Sequence, residues 1–199
     1  GPGGTIITAL GLDPTAPVYN EDGTYALASY DGRFLINPLQ ELEFATDMDI
    51  TNRVLGNTTF TFNITDHLKA KTSIGADILT VNRTSFFPVG NTRIGRDNSG
   101  ELTLANRNSA NILNENLITY TNEFKGGHFV DAVVGYTYQR EVNKFFSSTT
   151  RGITAASVDQ ATLQGGPDIL SPFSSRREWL LESVLGRVNY NYDSRYLLT

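Results

Sequence analysis

From Met48 onward apolar and polar residues alternate with a period of two, which predicts strands with one dry face rather than helices. The first predicted strand, about 48–64, sets Val54, Gly56, Thr58, Phe60, Phe62 and Ile64 against Arg53, Leu55, Asn57, Thr59, Thr61 and Asn63. A second, about 68–82, sets Leu68, Ala70, Thr72, Ile74, Ala76 and Ile78 against Lys69, Lys71, Ser73, Gly75 and Asp77. The third, about 111–124, opposes Ile112, Ile118, Tyr120 and Phe124 to Glu115, Thr119, Thr121 and Glu123, with Asn114, Asn116 and Asn122 weakening its apolar face. In the fourth, about 128–142, Val130, Ala132, Val134, Tyr136 and Tyr138 oppose Asp131, Thr137, Gln139 and Glu141. The fifth, about 178–192, opposes Leu180, Val184, Gly186, Val188, Tyr190 and Tyr192 to Arg187, Asn189 and Asn191. Tyr196-Leu197-Leu198-Thr199 reads as a sixth strand cut off as it begins, so the chain is expected to be a fragment.

The connections are as informative as the strands. Tight turns fall at 65–67, at Lys125-Gly126-Gly127 and at Asp193-Ser194, and they alternate with long polar segments at 84–109 and 143–177. Residues 1–46 carry Pro2, Pro14, Pro17 and Pro38, with turn signals at Glu21-Asp22-Gly23 and Asp31-Gly32. They read as an irregular segment with room for one short strand. Compact soluble domains seldom hold such long structureless loops. Outer-membrane barrels do, with short periplasmic turns on one side and long extracellular loops on the other. The pattern therefore assigns 47–199 to barrel wall strands, and 1–46, 84–109 and 143–177 to extracellular segments. Val54 to Ile64 spans 11 residues, and a tilted membrane strand needs roughly 9–11. Phe60, Phe62, Tyr120, Phe124, Tyr190 and Tyr192 cluster near the short turns, and Tyr136 and Tyr138 lie at the far end of the fourth strand. Those are girdle positions, where an amphipathic ring meets the headgroups.

Composition narrows the classes further. The 199 residues include 23 Thr, 17 Asn and no Cys. Thr and aromatic residues favour strands, and Asn favours turns. The missing Cys removes disulfides, zinc–thiolate sites and a thiol nucleophile. A net charge of −5 leaves no basic footprint for nucleic acid. No stretch approaches the roughly 18 consecutive apolar residues of a transmembrane helix, which says nothing against strands.

Three stretches go beyond a pattern. They are Asn37-Pro38-Leu39 with Asn52-Arg53-Val54-Leu55-Gly56-Asn57; Glu115-Asn116-Leu117-Ile118-Thr119-Tyr120 with Val134-Gly135-Tyr136-Thr137-Tyr138-Gln139; and Leu185-Gly186-Arg187-Val188-Asn189-Tyr190-Asn191-Tyr192-Asp193-Ser194-Arg195-Tyr196-Leu197-Leu198-Thr199. Their order and spacing resemble the SusC/RagA family of TonB-linked outer-membrane proteins of the Bacteroidetes. Pro17-Val18-Tyr19-Asn20-Glu21-Asp22-Gly23 looks like the family's loop ahead of those strands. The resemblance covers about 17–199. It implies an all-β fold of antiparallel up-and-down strands, part of a barrel of about 22 strands closed around a plug. It also implies the bacterial outer membrane and TonB-driven import of oligosaccharides, in some members peptides, under a SusD-like lipoprotein lid. No stretch here matches a TonB box, a plug or a carboxypeptidase-like domain, so coupling to the TonB complex is an implication of the family only.

Candidate chemistry is sparse. No phosphate loop, zinc-helix motif or Gly-x-Ser-x-Gly elbow occurs, so neither an enzyme nor a cofactor is expected. His67 and His128 read as polar turn residues sooner than as a metal pair. Asp97-Asn98-Ser99-Gly100-Glu101 lacks the acid spacing of a calcium loop, and Glu41/Glu43 and Asp47/Asp49 read as solvated charge. The candidate substrate or lid contacts are Trp179, Arg176 and Arg177, beside the second long loop. Trp179 is read as a girdle anchor ahead of a sugar platform; the arginines would bind lipopolysaccharide phosphates or solvate the rim. Arg53, Lys69, Lys71, Asp77, Glu115 and Glu123 would line the substrate path or grip the plug. The competing expectation is a soluble all-β carbohydrate-binding or adhesin module.

Overall fold

Alternation and tight turns build one antiparallel meander. In this computed structural model residues 2–30 and 33–199 are described. The long strands are β3 (Thr46–Asn63), β4 (Leu68–Phe87), β5 (Glu101–Phe124), β6 (His128–Arg151) and β8 (Phe173–Tyr192), followed by the short β9 (Tyr196–Leu198). They are ordered β3-β4-β5-β6-β8-β9, and β7 (Asp168–Ile169) adds to the edge of β6 beside Thr150 and Arg151. Sequential neighbours pair throughout, as an up-and-down wall requires. The Gly126-Gly127 turn has positive φ at both residues, and so does Asp193-Ser194, the geometry that matches the strands' own twist.

The strands run further than alternation predicts. Residues 84–87, 101–109, 143–151 and 173–177, read as loop from sequence, are strand. The connections shrink to 88–100 and 152–172. Hydroxyl and amide side chains do there what apolar residues do lower down: Thr80 bonds Asn108 at 3.0 Å and Thr103 bonds Thr149 at 2.8 Å, each across a strand pair. At about 3.4 Å per residue, the 24 residues of β5 or β6 extend about 80 Å, far beyond a bilayer core.

Residues 1–46 are also more ordered than their prolines predict. They hold α1 (Pro2–Leu10), a hairpin of β1 (Ala28–Tyr30) with β2 (Arg33–Leu35), and α2 (Pro38–Phe44). The Asp31-Gly32 turn signal lies outside the described residues; the Glu21-Asp22-Gly23 turn is present, with Gly23 N–H bonded to the Asn20 carbonyl. Asn37 organises the segment. Its amide donates to the carbonyls of Val18 (2.9 Å) and Ala26 (3.1 Å), while its oxygen caps α2 by accepting from Leu39 N–H. Pro38 then starts the helix where no N–H is needed.

Two compact units divide the chain: residues 1–51, 81–106 and 145–175, and residues 52–80, 107–144 and 176–199. The first has a core of Phe86, Leu102 and Ile153, with Leu104, Ala155, Val158, Ala161 and Leu163 packed against it. The 152–172 connection supplies most of that cover. Its entry is fixed at Gly100, at φ +89°, where a Cβ would stand 2.0 Å from the Ile153 carbonyl oxygen. Among the described residues, every buried hydrophobic side chain belongs to this unit and none to the second.

Candidate functional site

The second unit is a sheet with two chemically distinct faces. Even-numbered positions carry the apolar set: Val54, Phe60 and Phe62 on β3, Ile64 just past its end, Ile74 and Ile78 on β4, Ile118 on β5, Val134 on β6, and Leu180, Val184 and Val188 on β8, all exposed. Val184 is 80% and Val54 69% exposed. Thr72, Asn116 and Glu182 interrupt the set on the same face, yet monomeric soluble proteins rarely expose large apolar patches.

Odd-numbered positions carry charged and amide groups in hydrogen-bonded pairs, interspersed with the exposed Leu55, Leu181 and Leu185. Arg53 grips Asp77 bidentately at 2.8 and 2.7 Å. Thr59 meets Ser73 at 2.8 Å, and the Gln139 amide donates to Asn111 at 3.2 Å. Asp131 accepts from Thr121 and Asn189, one from each flanking strand, both at 3.1 Å. These cross-strand pairs satisfy groups that a dry core would penalise.

Two glycines interrupt this face, with opposite results. At Gly135 the side chains of Leu117 and Leu185 close in, so that an added Cβ would meet them at 2.6 and 3.0 Å. At Gly75 the nearest atoms, Asn57 Cβ and the Gly56 and Leu113 atoms, stay at 3.8 Å or beyond. A groove of about 510 Å³ results, lined by Leu55, Asn57, Asp77, Asn111, Leu113 and Gln139. Sequence alternation marks Gly75 only as a weak strand position; the depression depends on which residues its neighbouring strands place beside it.

The three candidate contacts separate. Arg176 lies on the even face, bonded to Glu178, which also accepts from Arg140 at 2.7 Å. Arg177 and Trp179 alternate onto the odd face of β8. Trp179 thus lies on the face opposite Tyr136 and Leu180, away from the aromatic residues read as a girdle, and is 43% exposed. Parity on a regular strand is the signal that separates Arg176 from Arg177 and Trp179. The lumen set Arg53, Lys69, Lys71, Asp77, Glu115 and Glu123 shares the odd face, with Arg53 and Asp77 brought together as a pair.

The two histidines hold strands. His67 accepts the Thr121 N–H on its backbone carbonyl, and its Nδ1 lies 3.2 Å from the Thr121 carbonyl oxygen. Nδ1 of His128 is 2.6 Å from the Tyr190 hydroxyl, with the Tyr192 ring 4.7 Å away. In the first unit the Asp97–Glu101 run ends the short helix α3 (Arg93–Asn98): Gly100 N–H returns to the Gly95 carbonyl, and Asn98 binds Glu101. Asp47 gathers Arg83 at 2.8 Å and Ser85 at 2.6 Å. Near the N-terminus, bonds from Thr15 and Thr24 hold the Asp13 and Asp22 carboxyls below their ordinary range. The Glu43 carboxylate, accepting from the Tyr25 hydroxyl, pushes that phenol well above its ordinary value.

No family model matches the chain. It is 32% identical over its full length to TonB-dependent receptor P3 of Formosa agariphila, and 25% identical over 96% of its length to TonB-dependent receptor P26 of the same organism. The chain spans about one fifth of the length of each of these curated relatives. Among solved structures, the RagAB peptide transporter matches 87% of the chain with a TM-score of 0.71 and 16% identity, and the RagAB peptide importer in its closed-closed state matches 88% with a TM-score of 0.72 and 17% identity. Each match covers 20% of the solved chain. An antiparallel meander with one apolar and one polar face, aligned end to end with TonB-dependent receptors and sharing the RagAB fold, is a β-barrel segment of the SusC/RagA-like TonB-dependent family.

Proposed function

We propose that this chain forms part of the wall of an outer-membrane importer, with its even face against lipid and its odd face lining the lumen. The observation that carries this is the division of the second unit into an exposed apolar face and a hydrogen-bonded polar one. A soluble carbohydrate-binding module would need to bury Val54, Val184 and Val188, which are among its most exposed side chains. Short turns then mark the periplasmic side, and 1–46, 88–100 and 152–172 the outer side.

The cargo is an oligosaccharide or a peptide, taken up under a SusD-like lipoprotein lid and driven by TonB through a plug elsewhere in the whole protein. The relatives' name, TonB-dependent receptor, supports the coupling, and the RagAB peptide transporter supports a peptide cargo; the oligosaccharide and the lid rest on the family resemblance. No bond is made or broken. The wall's work is to offer polar partners along a wet path and to leave it again when the plug moves. Arg177 and Trp179, high on the odd face, supply a cation for carboxylates and a flat ring for sugar or aromatic groups. Membrane fractionation and uptake assays on cells carrying the full-length protein test it. The protein is expected in the outer membrane, with Trp179→Ala slowing uptake severalfold while the barrel still assembles. Recovery in the soluble fraction without detergent sinks the proposal.

A further inference from the structure

The even face carries an unexpected group of cations just past its aromatic belt. Along β6, Tyr136 and Tyr138 follow the apolar Val130–Val134 run, and Arg140 and Lys144 come next on the same face. Arg140 stands six residues, about 20 Å, beyond Val134. Arg176 of β8 joins them, and both arginines share one carboxylate, Glu178. Two of these cations pair with Glu178, and Lys144 lines the same groove. Each guanidinium has five N–H donors, so several stay available after Glu178 is served. The group borders a groove of about 280 Å³ whose remaining lining includes Ile78, Thr80, Ala110 and Val142.

On the outer-membrane reading proposed above, this level is the headgroup layer of the outer leaflet. Charges there turn toward the interface and anionic headgroups. We infer that Arg140, Lys144 and Arg176 form a site for the phosphate of an anionic outer-leaflet lipid, its acyl chains lying along Ile78, Ala110 and Val142. Paired guanidinium forks suit phosphate geometry, Lys144 adds a mobile point charge, and Glu178 fixes the arginines in place. Arg177, one residue away, belongs to the other face and takes no part.

Native mass spectrometry on the full-length protein in detergent tests the site, with a bisphosphorylated saccharolipid and its phosphate-free counterpart as probes. The wild type is expected to retain the phosphorylated lipid at least tenfold better. Arg140→Gln, Lys144→Gln and Arg176→Gln each weaken retention by about fivefold, whereas Arg177→Gln leaves it unchanged. Equal retention of the two lipids by the wild type overturns the site, independent of how any variant folds. So does an equal loss on Arg177→Gln. Full displacement by millimolar inorganic phosphate would reassign the cations to free phosphate and overturn the lipid assignment. A protein found soluble without detergent would instead overturn the membrane reading on which the site rests.

Discussion

The two units of the chain stabilise β-structure by different means. In the first, the 152–172 connection folds onto strand ends and buries Phe86, Leu102 and Ile153 to 1% exposure. Thr92 and Thr150 are fully buried there, each with a hydrogen-bond partner. The second buries no hydrophobic side chain at all among the described residues. Its cohesion within this chain comes from the backbone ladder and from cross-strand polar pairs, such as Arg53–Asp77 on the odd face and Thr72–Asn116 on the even one. The first has a small dry interior of its own. The second leaves its apolar face unburied within this chain, and on the proposed membrane reading that face meets lipid, where water-based rules about exposed hydrophobics invert.

Substitutions sharpen the contrast because their costs should stay within one unit. Phe86→Ala removes the centre of the first unit's core and is expected to cost about 3–5 kcal/mol. Hydrogen exchange in the full-length protein should quicken at 84–104 and 150–165 and stay unchanged at 115–135. Val188→Arg acts in reverse, placing a cation on the apolar face of the second unit. The cost is about 2–4 kcal/mol near the bilayer midplane, read as reduced outer-membrane assembly; Asn189→Arg, one residue on and facing the opposite way, should assemble normally. Asn37→Ala strands the Val18 and Ala26 carbonyls and uncaps α2. A loss of about 1–3 kcal/mol should appear as faster proteolysis confined to 15–45.

Asp77→Asn breaks an exposed ion pair, of the kind that water and salt screen, and should have little effect on assembly. Smallest is the pH response of the N-terminal turns. Asp13 and Asp22 have lowered values because Thr15 and Thr24 bond their charged forms. Their contribution is complete above the ordinary carboxylate range and fades as pH falls through those lowered values. Amide exchange at Thr15 and Thr24 should rise only in acid.

Much of this was legible in the sequence, and the failures share a cause. Alternation located every long strand of the second unit, and the Gly126-Gly127 and Asp193-Ser194 turns fell where tight hairpins require them. It stopped short in the first unit, where the strand ends are written in Thr, Asn and Ser. A pair such as Thr103–Thr149 spans 46 positions and has no local signature. The hairpin and helices before residue 45 escaped for a similar reason, since Asn37 acts on Val18 and Ala26, well away along the chain. Strand parity separates Arg176 from Arg177 and Trp179, but their common surroundings near a loop hid it. The Arg140–Glu178–Arg176 group lay outside sequence reach, because register brings residue 140 to residue 178.

The central claim is that the even face meets lipid and the odd face meets water. Spin labels at 184 through 190, one at a time in a cysteine-free version of the full-length protein in bilayers, test it most directly. The account predicts a period of two: oxygen reaches labels at 184, 186 and 188, and a water-soluble nickel chelate reaches those at 187 and 189. Uniform access by the chelate, or alternation of the opposite phase, would contradict it.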